Sequence, residues 1–206
     1  MLSKIPGFIQ NTPWQNHLWR IPDDNKSVFL TFDDGPTPGI TDQVLSILEK
    51  YDAKGTFFCL GRNAEHYPEL LKKITDQGHR IGNHSYSHLK GFRTSVDKYV
   101  EDVAMAHKIL KSSLFRPPYG RIRRKEAKRL AKHFTIVMWE ILSHDYNSDL
   151  SPDACFSNAV SSVKPGSIIV FHDSLKASKN VLTCLPRVLE HLANEGYTFK
   201  SIPDKY

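Results

Sequence analysis

The stretch FLTFDDGPTP, residues 29–38, ends an apolar run on two adjacent carboxylates, Asp33 and Asp34, and turns at once through Gly35-Pro36. Such a pair can be a solvated loop tip. It can also be half of an active site, one carboxylate holding a metal while the other moves a proton. His84 and His88 are spaced i, i+4, so a helical turn starting at Ser85 would point both imidazoles the same way, as one metal ion requires. Two histidines and one carboxylate leave a fourth position for water, the arrangement of a catalytic rather than a structural zinc site. Either aspartate could be the ligand, leaving the other to accept the proton of an attacking water. His172, emerging from GSIIVF, is the candidate acid for the leaving group. Arg116 could pair with the base carboxylate and hold it ionised. Pro117 and Pro118 would stiffen the next loop and aim the backbone N–H of Tyr119 at an oxyanion. The plainer alternative has both histidines hydrogen-bonded to the aspartates in a loop and His172 capped in the core. A metal, a base, an acid and an oxyanion donor together specify metal-assisted hydrolysis of an acyl group.

These groups lie far apart in sequence, so the elements between them must bring them together. Apolar, β-branched or aromatic runs alternate with helix-period segments, the pattern of a parallel α/β architecture. Strands are expected at 28–32, 56–60, 80–83, 114–116, 135–139, 167–171 and 197–202. Ile40, Val44, Ile47, Leu48 and Tyr51 form one apolar stripe behind Thr37-Pro38, and a second helix over about 67–77 ends at Gly78. Val96, Val100, Val103, His107 and Leu110 mark a third, and further helices fit 123–133, 153–163 and 180–194. Seven strands joined by six helices in right-handed crossovers should be parallel. An open doubly wound sheet and a barrel both fit this pattern. On either, every chemically capable cluster follows a strand, at the C-terminal rim where parallel α/β folds build their sites.

The chain has 206 residues, enough for one domain with a sizeable core, and its 40% hydrophobic and 24% charged content is that of a soluble globular protein. The formal charge of +6 makes a polyanion partner conceivable. The densest basic stretch, RIRRKEAKRLAKHF, nevertheless interleaves Ile122, Ala127, Leu130 and Ala131 and reads as the solvated face of an amphipathic helix. It carries no nucleic-acid signature, so no nucleic-acid partner is expected. Cys59, Cys155 and Cys184 are odd in number and far apart, which argues against a disulfide framework. Residues 1–27 hold Pro6, Gly7, Pro13 and Pro22 and no continuous apolar region. No signal peptide or membrane helix is expected from them, and taken at face value the chain is cytoplasmic and monomeric.

The motifs TFDDGP, HSYSH, RPPYG, DY after Trp139, and IIVFHD resemble, in order, the five motifs of the polysaccharide deacetylases, carbohydrate esterase family 4, the NodB-homology domain. The likeness runs from about residue 26 to 202, with 1–25 as an N-terminal extension and 26–206 as the catalytic domain. It implies a distorted (β/α)7 barrel of the NodB-homology type. It also implies that Asp33 is the general base, that Asp34, His84 and His88 hold Zn2+ or another divalent ion such as Co2+ or Ni2+, and that His172 is the general acid. Arg116 would orient Asp33, Tyr119 would help hold the oxyanion, and Asp145 would tune His172 and Arg116. Where the family often carries Asp-x-x-Asp-Trp, this chain has Leu142, Asp145 and Tyr146, so one carboxylate is lost and a phenol replaces an indole expected to line the acetyl pocket. Trp139 reads either as a pocket residue or as part of a strand, and Ile169 stands where Leu is usual.

The resemblance implies removal of N-acetyl groups from N-acetylglucosamine units of chitin-like or peptidoglycan glycans. The alternatives are O-acetyl ester hydrolysis on xylan and a carbohydrate-binding protein without turnover. A cell-wall substrate would place the protein outside the cell, against the reading of residues 1–27.

Overall fold

The computed structural model describes residues 17–23 and 25–203. Pro6, Gly7 and Pro13, on which the reading of the N-terminal segment partly rested, lie outside them. After a two-residue strand, β1 (His17–Leu18), the chain builds β2 (Ser27–Asp33), whose seven residues are all buried. A parallel strand covered on both faces has no solvent side, which is why SVFLTFD reads as a near-continuous apolar run. The polar members are satisfied locally: the Thr31 hydroxyl donates to the Ile169 carbonyl at 2.8 Å. Phe32 stacks on Phe57 at 4.8 Å between ring centroids and faces Phe171 at 6.0 Å, tying three strands into one core.

The remaining strands are β3 (Gly55–Cys59), β4 (Arg80–Asn83), β5 (Leu114–Phe115), β6 (Thr135–Val137), β7 (Ile141–Leu142), β8 (Ile168–His172) and β9 (Thr198–Phe199). The helices are α1 (Ile40–Lys50), α2 (Gly61–His66), α3 (Pro68–Asp76), α4 (Val96–Leu110), α5 (Arg124–Leu130), α6 (Pro152–Val160) and α7 (Ser178–Asn194). The sheet runs β1-β6-β5-β4-β3-β2-β8-β7 with every ladder parallel, and β9 pairs the first two residues of β2. With helices on its outside and its end strands β1 and β7 unjoined among the described residues, this is the distorted (β/α) barrel that the family resemblance implied, left open at one side.

The strand and helix count exceeds the expectation by three short elements. β1 and β7 have two residues each, too few to show a period, and α2 buries only Gly61 and Ala64. Helix faces also differ. In α4 the buried residues are Tyr99, Asp102, Val103, Ala106 and Leu110, rather than the stripe through Val96, Val100 and His107. The helix turns a carboxylate inward because the loop after β4 needs it, as described below. The basic stretch forms α5, which buries Glu126, Ala127 and Leu130 and leaves most of its cations in solvent. All three cysteines are free and buried.

Candidate active site

Register assembles the site. Asp33, the last residue of β2, is paired directly with His172, the last of β8. On the other side of the sheet, β4 pairs β5 through Asn83 and Phe115, and the Arg116 N–H donates to the Asn83 carbonyl at 2.9 Å. His84 and Arg116 therefore leave their strands side by side. The sequence-derived candidates converge at this rim around a cleft of about 660 Å³ lined by Asp33, Asp34, His84, His88, Tyr119, Trp139, Tyr146 and His172, among others.

Asp33 and Arg116 form a buried pair, Nη1 to Oδ1 at 2.7 Å. The same Nη1 donates to the Thr31 hydroxyl at 2.8 Å, and Nη2 donates to the Met138 carbonyl at 3.0 Å. The guanidinium lies 4.1 Å from the Phe58 ring centroid and 5.7 Å from that of Trp139. Burial pulls the Arg116 pKa down and the Asp33 charge opposes it. A carboxylate held this way is oriented, with Oδ2 left to accept a proton. Asp145 does not reach Arg116 as expected. It follows β7 while Arg116 follows β5, at opposite flanks of the sheet order, and the donors of Arg116 go to Thr31, Asp33, Val137 and Met138.

Asp145 serves His172 instead. Its Oδ2 accepts the His172 backbone N–H at 2.7 Å and its Oδ1 lies 2.7 Å from Nδ1. Burial lowers the imidazole pKa, but the Asp145 charge and hydrogen bond, reinforced by Asp34 and Asp33, carry it up to about 9. Tyr146 packs its ring edge-on to His172 at 4.9 Å between centroids. Trp139 is half-buried, lines the cleft and packs against Gly120, where a Cβ would meet its ring at 2.3 Å. Leu142 lines the same cleft from β7.

Asp34, His84 and His88 each offer one donor atom, all within 4.8 Å of one another. His84 Nε2 and His88 Nε2 lie 3.6 and 3.2 Å from Asp34 Oδ1. A tetrahedral site with bonds of about 2.1 Å separates its donors by roughly 3.4 Å, so the set fits a divalent cation. Tautomer chemistry agrees. His84 Nδ1 lies 2.9 Å from the Arg116 carbonyl, which can only accept, so Nδ1 carries the proton and Nε2 keeps its lone pair. Burial, which outweighs the neighbouring aspartates, lowers the His84 pKa to about 4 and keeps the ring neutral. Burial would raise the Asp34 carboxyl, but the His88 hydrogen bond and the charge on His172 hold it well below the usual range.

The structure brings His84 and His88 together, but not by the helical turn that the i, i+4 spacing suggested. No helical turn begins at Ser85, and Ser85 and His88 have φ of 66° and 59°, in the left-handed region that side chains disfavour. Hydrogen bonds hold the loop there. The Asn83 side chain accepts from the Ser85 N–H at 2.8 Å, Asp102 Oδ2 accepts from Tyr86 and Ser87 at 2.9 and 3.0 Å, and Ser85 Oγ accepts from the His88 N–H at 3.0 Å. Asp34 is similarly strained at φ 79°. Asn63 donates to its carbonyl at 2.9 Å, and Asp173 clamps its neighbours, accepting from the Gly35 N–H at 3.1 Å and donating its own N–H to the Asp33 carbonyl at 3.1 Å. A Cβ on Gly35 would meet Asp173 Oδ2 at 2.0 Å, so only glycine fits.

Asn63, Asp102 and Asp173 were missed from sequence. An acid on the inward face of α4, Asp102 beside Val103, and a carboxylate directly after His172 were the available signals. Tyr119 has φ 60° in the turn Pro118–Gly120, and its half-exposed ring packs on His88 at 4.5 Å between centroids.

A parallel barrel with its polar groups gathered on the C-terminal rim carries them where such folds build their sites. Residues 20–138 match the family model described as polysaccharide deacetylase, and the chain belongs to that family. It is similar to a peptidoglycan-N-acetylglucosamine deacetylase of Bacillus cereus, 31% identical over 194 residues that cover 90% of this chain and 91% of the relative. It is also similar, at 31% identity over 191 residues, to the peptidoglycan-N-acetylmuramic acid deacetylase PdaA of Bacillus subtilis, covering 87% of this chain and 71% of the relative. Among solved structures, the Bc1960 peptidoglycan N-acetylglucosamine deacetylase in complex with 4-naphthalen-1-yl-N-oxidanyl-benzamide superposes with a TM-score of 0.86 at 31% identity, over 91% of both chains. No helix among the described residues is long and apolar enough to cross a membrane.

Proposed function

We propose that this chain hydrolyses the acetamido group of N-acetylated amino sugars in peptidoglycan or chitin-like glycans, with a divalent cation held by Asp34, His84 and His88. The reading rests chiefly on one observation: the Asp33–Arg116 pair and the His172–Asp145 pair stand in adjacent register beside that three-donor set. Residues 26–206 would be the catalytic domain, joined through β1 by part of the preceding segment. The bound cation, zinc or another ion such as cobalt or nickel, would polarise the acyl oxygen and acidify the attacking water.

Asp33 takes the proton of that water as its oxygen bonds to the acyl carbon. Arg116 keeps Asp33 ionised and pointed, and cannot itself give up a proton. The Tyr119 amide assists at the developing oxyanion, and Pro118 stiffens the turn that presents it. His172 protonates the leaving nitrogen as the C–N bond breaks, giving acetate and a free amine. Leu142, Trp139 and Tyr146 wall the cleft where the acetyl methyl must sit. Both N-acetylglucosamine and N-acetylmuramic acid are named for relatives of equal identity, so the glycan class is carried further than the individual sugar.

The direct test is acetate release from peptidoglycan strands, chito-oligosaccharides and acetyl-xylan, with chelator and with added divalent metals. Metal-restored release from the N-acetylated glycans is the expected result. Release from acetyl-xylan alone would make the enzyme an esterase, and tight glycan binding without any release would make it a binding protein.

A further inference from the structure

The cleft is basic at its rim. Lys90 and Arg93 flank the loop after His88, Arg121 follows the Tyr119-Gly120 turn, and Lys176 lies beyond His172; all four are exposed and line the cleft. Among the described residues the only carboxylates lining it are Asp33, tied to Arg116, and Asp34, set between two imidazoles. Elsewhere on the described surface some cations are ion-paired, Lys72 with Asp76, Lys73 with Asp42, Arg129 with Asp97 and Arg187 with Asp153, and what marks the four rim cations is their convergence on one cleft. Among the described residues none of the four rim cations is so paired. Lys90 Nζ lies 5.2 Å from the Tyr119 ring centroid and Lys176 Nζ 5.8 Å from that of Tyr146, so both ammonium heads stand over aromatic faces at the mouth. Phe92, 63% exposed, and Tyr119, 52% exposed, add apolar surface beside them.

Position along the sheet matters as much as charge. In the order β5-β4-β3-β2-β8, the loops bearing Arg121, Lys90 and Arg93 lie on one side of Asp34 and the loop bearing Lys176 on the other. An extended ligand with its acetyl group over the three donors therefore meets cations toward both ends. We propose that Lys90, Arg93, Arg121 and Lys176 select an acidic glycan, one carrying carboxylates on its sugars or their substituents, over neutral acetylated glycans. This rests on the deacetylase reading above and narrows its substrate. Neutral sugars could take hydrogen bonds from these cations but would gain no long-range attraction from them. A polyanion gains in encounter rate and orientation, and the gain is screened by salt.

The test compares kcat/KM for acetate release from peptidoglycan strands with peptide stems, strands freed of stems but keeping the lactyl carboxylate, carbodiimide-amidated strands, and chito-oligosaccharides of matched length. At low ionic strength at least one acidic strand should exceed its amidated form by about tenfold, and the ratio should collapse in high salt. The variant Arg93→Gln/Arg121→Gln/Lys176→Gln should bring the ratio toward one. Preference confined to stemmed strands assigns the recognised carboxylate to the peptide, and preference kept without stems assigns it to the sugar. Equal, salt-insensitive turnover of acidic and amidated strands overturns the inference and leaves the deacetylase reading intact. If no substrate releases acetate, that reading falls, and the rim is judged by strand retention on immobilised protein. Equal retention of acidic and amidated strands would then overturn it too.

Discussion

Asp145 grips His172 from two directions, accepting its backbone N–H and facing its Nδ1, each at 2.7 Å. Burial alone would lower the imidazole pKa, and Asp145, with lesser help from Asp34 and Asp33, reverses that to about 9. A general acid must enter the cycle protonated, so activity should persist to the neighbourhood of pH 9 and fall above it as His172 loses its proton. Asp145→Asn removes the opposing charge and leaves burial in control. The alkaline limb should then move to lower pH by about one unit or more, with the metal content unchanged. pH–rate profiles of wild type, Asp145→Asn and His172→Ala decide the matter, and an unmoved limb would leave Asp145 a purely orienting role.

Adjacent aspartates should fail differently. Asp33→Asn keeps the three donors and should retain metal while losing turnover by roughly 100-fold or more. Asp34→Asn removes the carboxylate donor and should weaken metal binding itself. Metal content after dialysis, measured beside kcat, separates the two. Equal metal loss in both variants would mean that the base and ligand assignments are wrong or shared.

Arg116 is fully buried, so its loss should register in stability as well as rate. Arg116→Met leaves Asp33 charged, buried and without its partner, which should cost about 3–5 kcal/mol in urea unfolding. Adding Asp33→Asn removes the stranded charge and should recover part of that cost. A double variant no more stable than Arg116→Met would show that the arginine matters through its carbonyl contacts rather than through Asp33.

Asp173 makes a prediction in pH. Burial lifts its carboxyl to about 7 despite the hydrogen bond donated by Thr41 at 2.6 Å. Its folded pKa is raised, so between the ordinary carboxylate range and about 7 the native state holds a proton that the unfolded chain has released. The contribution of this group to stability is full below that range and is lost as pH rises through about 7. Unfolding measured across this window should show wild type losing stability relative to Asp173→Asn as pH rises. Asp173→Ala should also weaken metal binding, because the side-chain half of the clamp, the acceptor of the Gly35 N–H next to the strained Asp34, is gone while every donor remains. Metal affinity equal to wild type would confine Asp173 to a packing role.

The kinds of groups and their order along the chain were legible because short-range patterns encode them. A carboxylate pair after a run of buried β residues, a histidine at the end of another, and Arg116 before two prolines all mark strand ends in one parallel sheet. The five ordered motifs then narrowed the chemistry to a family. Neighbour relations across the sheet were not legible. That Asp33 stands beside His172 depends on β2 and β8 pairing in one particular register, and no local spacing carries that information. Asp145 turns to His172 rather than Arg116 for the same reason: strand order, a property of the whole sheet, sets which flank each occupies. The loop of His84 and His88 shows the limit most clearly. Spacing suggested a helical turn, and the chain instead adopts left-handed backbone at Ser85 and His88 that is costly in isolation. It is stable only because the buried Asp102, on a helix that follows in the chain, and Asn83 satisfy the loop's N–H groups. Local sequence chose the chemical groups; long-range packing supplied the hydrogen bonds that hold them in strained, productive positions.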